Sequence, residues 1–163
     1  MQHRVVVVGS ANVDYSVRVD AFPHAGETRL GDSLHRRPGG KGLNQAIAAA
    51  RFGAEVSFVG SVGADADGEL LARTLHEEGI DASHLTVDRQ ARTGFASIYV
   101  APDGQNSIVV APGANSLVAP PTAAAAIRAC ARRGDVVVVQ AEVPIAVLAD
   151  VVDTAAERHL RTV

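Results

Sequence analysis

"GGKGLNQAIAAARFGAEVSFVGSVG", residues 39–63, decides how the chain is read. Its first part, Leu43–Ala54, is helix-forming and places Gly53 where a helix closes on a left-handed residue. Its second part, Glu55–Gly63, is a short apolar run ending in glycine, the pattern of a strand buried on both faces. "RVVVVG" (Arg4–Gly9) and "GDVVVVQAE" (Gly134–Glu142) repeat that run. Helical stretches accompany the strands. Asp65–Ile80 sets Leu70, Leu71 and Leu75 at helical spacing, Pro120–Gly134 opens on prolines, and Pro144–His159 has Pro144 at the first helical position. The alternation predicts an α/β fold with a doubly wound, Rossmann-like sheet.

Other stretches leave that pattern. "DYSVRVDAFP" and "ETRLGDSLHRR" alternate like half-exposed antiparallel strands, and "TGFASIYVAPDGQNSIVVAPGAN" reads as a hairpin turning at "PDGQ". These predict a small protruding sheet, a lid, with strands near 14–37 and 94–111, attached to one incomplete domain over 1–163. Such a sheet has an apolar face to cover, either with a ligand or with a second copy of itself. "HLRTV" at the end begins what reads as one more buried strand, so a truncated chain is expected.

With 163 residues, 47% hydrophobic and 20% charged, the chain can bury a core. A net charge of −3 with mixed signs offers no field for nucleic acid and no basic patch for a membrane. No apolar run is long enough for a membrane span. The one cysteine, Cys130, excludes a disulfide framework and suits a cytoplasmic protein; in an alanine-rich helix it reads as an inert buried thiol.

Lys41 is the only lysine beside fourteen arginines, and it sits between two glycines. The segment lacks the hydroxyl and spacing of a phosphate-binding P-loop, and "GSANVD" has one glycine where a dinucleotide fingerprint needs three. "DADG" resembles half a calcium loop, but His76 stands where the closing glutamate belongs. The six histidines have no ligand spacing, so no metal site is expected. Gly39, Gly40 and Gly42 permit close backbone approach, and Asn44 is read as the start of a helix whose free N–H groups favour an anion. Asn12 and Asp14 lie just past the first strand and Glu142 ends the "VVVVQAE" strand, at the sheet edge where α/β proteins bind ligands. Acids, amides and a compact ammonium at one edge suit adjacent hydroxyls, as in a small sugar. Each also has an ordinary reading: Asn12 and Asp14 as turn residues, Glu142 as an acid before a helix.

The same residues resemble the ribokinase-like (PfkB-type) carbohydrate kinases. Gly39, Gly40, Gly42, Asn44, Ala46, Gly53 and Gly63 fall at the spacing of that family's first signature. "GSANVD", "VGADADG", "TGFASIYV", "APGAN" and "QAEVP" resemble its following segments, and the likeness runs from Arg4 to Val163. It implies sugar hydroxyls bound by Asn12, Asp14, Gly40, Lys41, Asn44 and Glu142, with Ala96 and Ile98 as the apolar lid face. It implies ATP-dependent phosphorylation of a sugar, D-ribose by the form of "GGKGLNQA" and "GAN". Other acceptors, such as fructose, a deoxy-sugar acid or a nucleoside, stay open, as does a non-catalytic sugar-binding or dimerisation module. A homodimer through the lid is also implied. Members of the family run to about twice this length. Their second half holds the catalytic base and the sites for ATP, Mg2+ and a monovalent cation. No catalytic residue is therefore expected within these 163 residues, and the chain alone is expected to be inactive.

Overall fold

The computed structural model describes residues 4–163. In chain order the elements are β1 (Arg4–Val8), β2 (Asn12–Arg18), β3 (Leu34–Gly39), α1 (Lys41–Arg51), β4 (Glu55–Gly63), α2 (Ala66–Glu77) and β5 (Asp81–Asp88). There follow β6 (Gly94–Val100), β7 (Asn106–Ala111), a 3-10 turn (Gly113–Leu117), α3 (Pro120–Cys130), β8 (Val136–Val139), α4 (Ile145–Glu157) and β9 (Arg161–Thr162).

Five strands form a parallel sheet in the order β5-β4-β1-β8-β9. β1 lies at its centre, and the alternation of its valines explains why. Val6 and Val8 point to one face, where Ile127 of α3 and Val147 and Val151 of α4 pack. Val7 points to the other, against Leu43 of α1, Phe58 of β4, and Leu71 and Leu75 of α2. Each fully buried side chain of this kind stabilises the fold by roughly 1.5–3 kcal/mol. A strand buried on both faces needs an unbroken apolar run, which "VVVV" supplies in β1; the second "VVVV", in β8, buries Val137 fully and its other valines only in part.

The second sheet has the order β3-β2-β6-β7, with β2 antiparallel to β3, β2 parallel to β6, and β6 antiparallel to β7. It is fastened to the main body at the start of α2. There the Tyr15 hydroxyl donates to Asp67 at 3.2 Å, Arg36 Nε donates to the Tyr15 oxygen at 3.0 Å, and the Arg36 guanidinium pairs with Asp67. Tyr15 also stacks obliquely on Phe95, with ring centroids 5.5 Å apart.

Four local readings need correction. β5 was not expected: its residues alternate between exposed and half-buried at the sheet edge, so it lacks the apolar run that marks β1 and β4. Pro144 is the residue before α4 rather than its first helical position, with ψ at 138°. And α1 starts at Lys41, three residues before Asn44, because Gly40 takes up a φ of 91° and lets the chain turn straight into the helix. "HLRTV" does form a strand beside β8, but both residues of β9 are exposed rather than buried.

Candidate functional site

The site is built where the chain leaves the main sheet. Beyond β1, residues 9–11 carry it into β2, and β3 brings it back so that Gly39 stands opposite Asn12. Helix α1 then begins against the crossover, with the Leu43 N–H donating to the Ser10 carbonyl at 2.9 Å. Any side chain at residue 40 would block this. A Cβ there would lie 2.8 Å from the Asn12 nitrogen and 3.0 Å from the Ser10 carbonyl oxygen. At residue 39 a Cβ would fall on the Asp14 carboxylate. The glycines are thus the imprint of a helix start and a carboxylate brought close to the backbone.

Above this floor lies a cavity of about 160 Å³, lined by Asn12, Asp14, Gly40, Lys41, Asn44, Ala96, Ile98, Ile108, Val110 and Glu142. That is below the roughly 300–1,000 Å³ of drug-sized sites and suits one small molecule. All eight residues picked out from the sequence meet here. Ile108 and Val110 were missed, although the hairpin register pairs Ile98 with Ile108 and Ala96 with Val110, so that the four share one face of the sheet. They make an apolar wall over a polar floor.

Glu142 is the most firmly held group on that floor. Ser10 Oγ donates to its Oε2 at 2.7 Å, the Lys41 backbone N–H donates to the same oxygen at 3.2 Å, and the Lys41 ammonium pairs with Oε1. The free N–H at the start of α1 therefore already holds an anion, the chain's own carboxylate. Ser10 is 1% exposed and was not recognised in the sequence; after a strand, a serine looks like a turn residue.

Two acids share the cavity and are driven apart. Burial pushes the Asp14 carboxyl above its usual range, the nearby charge of Glu142 adds to this, and Lys41 opposes it. For Glu142 burial also pushes upward, but Lys41 and Ser10 outweigh it and hold the carboxyl below the usual range. Two carboxylates against one ammonium favour a neutral, hydroxyl-rich ligand over an anion. Among the described residues no group of three or more His, Cys, Asp or Glu side chains is placed to hold a metal ion, and no helix is long and apolar enough to cross a membrane. Cys130 is buried away from the site, and burial raises its thiol.

Comparison with known proteins gives a consistent answer. The sequence profile described as "pfkB family carbohydrate kinase" matches residues 2–162. A ribokinase of Bacillus subtilis is 41% identical over 140 residues, covering 86% of this chain and 47% of that protein. The structure of Arabidopsis thaliana ribokinase complexed with ribose and ATP superposes with a TM-score of 0.81 at 30% identity, over 99% of this chain and 53% of that one. Ribokinase from Cryptococcus neoformans, in complex with ADP, gives 0.86 at 33% identity over 99% and 49%. The chain thus spans about half the length of the relatives it matches.

Proposed function

Since the chain belongs to the pfkB family of carbohydrate kinases, we propose that it carries the acceptor-sugar site of a kinase that phosphorylates D-ribose. The observation that carries this reading is the cavity itself, with a floor of Asn12, Asp14, Lys41, Asn44 and Glu142 under a wall of Ala96, Ile98, Ile108 and Val110. A pentose has the same division, hydroxyls around its rim and C–H groups on its face. Ribokinase similarity and the ribose named with the Arabidopsis structure support ribose over other sugars.

In this reading Asp14 and Glu142 accept hydrogen bonds from sugar hydroxyls, while Asn12, Asn44 and Lys41 donate to their oxygens. The apolar wall excludes water and fixes the ring, so that one hydroxyl is presented to the phosphoryl donor. Much of the rate of phosphoryl transfer comes from such positioning. In transfer, the hydroxyl oxygen forms a bond to the γ-phosphorus of ATP, the bond to ADP breaks, and the hydroxyl proton passes to a carboxylate base. In this reading that base, and the sites for ATP, Mg2+ and a monovalent cation, belong to the length of the relatives that this chain does not span.

β7, an edge strand, presents Ile108, Val109 and Val110 in an exposed row, which supports pairing of the second sheet with that of another copy. Calorimetric titration of the purified chain tests the central reading. Saturable binding of D-ribose without ATP turnover is expected. Failure to bind ribose while fructose or a nucleoside binds would replace the acceptor, and ribose-dependent ATP turnover by the chain alone would overturn the division of labour.

A further inference from the structure

Asn115, in the 3-10 turn after the second sheet, is 1% exposed and does not line the cavity. Its side chain is nonetheless bonded at both ends. Oδ1 accepts the Ala11 N–H at 2.9 Å. Nδ2 donates to Asn12 Oδ1 at 2.7 Å and faces the carbonyls of Pro112 at 3.0 Å and Ala11 at 3.2 Å. The reverse orientation would set its NH2 against a backbone N–H and its oxygen against two backbone carbonyl oxygens. The surroundings therefore fix which way this amide points.

That orientation is passed on to Asn12. Because Asn115 offers a donor, the atom of Asn12 that meets it is the oxygen, and the group left for the cavity is the NH2. Space for the contact is reserved at Gly94, where a Cβ would fall on both Asn12 Oδ1 and Asn115 Nδ2. Beside Asn12, the Asp14 carboxylate offers only acceptors when ionised.

Resting on the sugar-site reading above, we propose that Asn115 is a positioning residue that sets the hydrogen-bond polarity of the site, pinning Asn12 so that it presents a donor to the ligand. A hydroxyl satisfies this arrangement, accepting from Asn12 while giving its own proton to a carboxylate. A group without a lone pair, such as an ammonium, does not satisfy it.

The first test needs no ligand. In the nitrogen-15-labelled chain, the side-chain NH2 protons of Asn115 exchange slowly with solvent and those of Asn12 exchange fast. The reverse pattern overturns the proposal. D-ribose then slows exchange at Asn12. If the wild-type chain does not bind ribose, the sugar-site reading fails while the exchange pattern still decides the polarity.

Asn115→Asp supplies the second test. It makes Asn12 turn its NH2 away from the cavity, so ribose binding weakens about 10-fold or more and the Asn12 protons become slow without sugar. Asn12→Asp, which leaves Asn115 in place and offers only acceptors, shows the same loss in a chain with its own support intact. A merely structural Asn115 would lower the melting temperature of Asn115→Asp but leave Asn12 exchange and ribose affinity at their wild-type values, and that result would refute the inference.

Discussion

Lys41 and Glu142, 101 positions apart in sequence, form an ion pair across the floor of the cavity. The partners are unequally placed: the lysine side chain is 67% exposed and the glutamate 25%. Glu142 is also tied to Ser10 and to the first N–H of α1, whereas among the described residues the lysine ammonium pairs with Glu142 alone. Lys41→Met should therefore change stability by no more than about 1 kcal/mol, as expected for an exposed pair. Glu142→Gln should cost about 1–2 kcal/mol, since three donors lose a charged acceptor. Both should weaken ribose binding about 10-fold or more. Urea unfolding alongside calorimetric titration separates the two effects.

Asp14 should give ribose binding its acid limb. Its carboxyl titrates above the ordinary aspartate range, chiefly because it is buried, so affinity should fall as pH drops through that raised value. Glu142, held below the ordinary range, should stay ionised through the same limb. Titrations across a pH series check this, and Asp14→Asn should bind weakly at every pH with the limb gone.

The same group has a stability signature of opposite sense. A carboxyl raised on folding binds its proton more tightly in the folded than in the unfolded chain. Its favourable contribution is complete below the unfolded value and is lost as pH rises through the folded one. At neutral pH the buried charge is a liability, so Asp14→Asn should raise the melting temperature there, with the gain shrinking in acid. A lower melting temperature at neutral pH would contradict the burial argument.

Gly40→Ala should be the most damaging single change on the floor. It combines a φ of 91° with a Cβ 2.8 Å from backbone nitrogen, which no side-chain rotation relieves. A loss of about 1–3 kcal/mol is expected, with ribose binding abolished in the chain that still folds. Chemical denaturation measures the first quantity and titration the second.

Tyr15→Phe removes the hydroxyl that links the second sheet to Asp67 of α2, and that accepts from Arg36 within the sheet, while keeping the ring on Phe95. A cost of about 0.5–1.5 kcal/mol is expected. Faster amide exchange confined to β2 and β3 would show that this contact fastens the sheet; uniform change across the chain would show that it does not.

The legible parts of the molecule were those written locally. The valine runs of β1 and β8 and the leucine spacing of α2 declare burial within a few residues, and the turn at 102–105 declares the hairpin. β5 was illegible because an edge strand is half wet and carries charges among its apolar residues. The start of α1 was misplaced because Gly40 makes no side-chain cap, only a backbone angle that a sequence does not display. The cavity's eight residues were picked out by chemistry and resemblance, while Ser10 and Asn115 were not, since each acts on a partner more than a hundred positions away.

The wall of the cavity depends on parity. Along β6 the residues facing the ligand site are even-numbered, Ala96 and Ile98, and those facing away are odd-numbered, Phe95, Ser97 and Tyr99. One residue inserted between Phe95 and Ala96 would exchange the two sets in every following position of that strand, putting Ser97 where Ile98 stood. Two inserted residues would restore the order. Within this strand, drift in length is tolerated in pairs, and an odd step rewrites the surface the ligand meets.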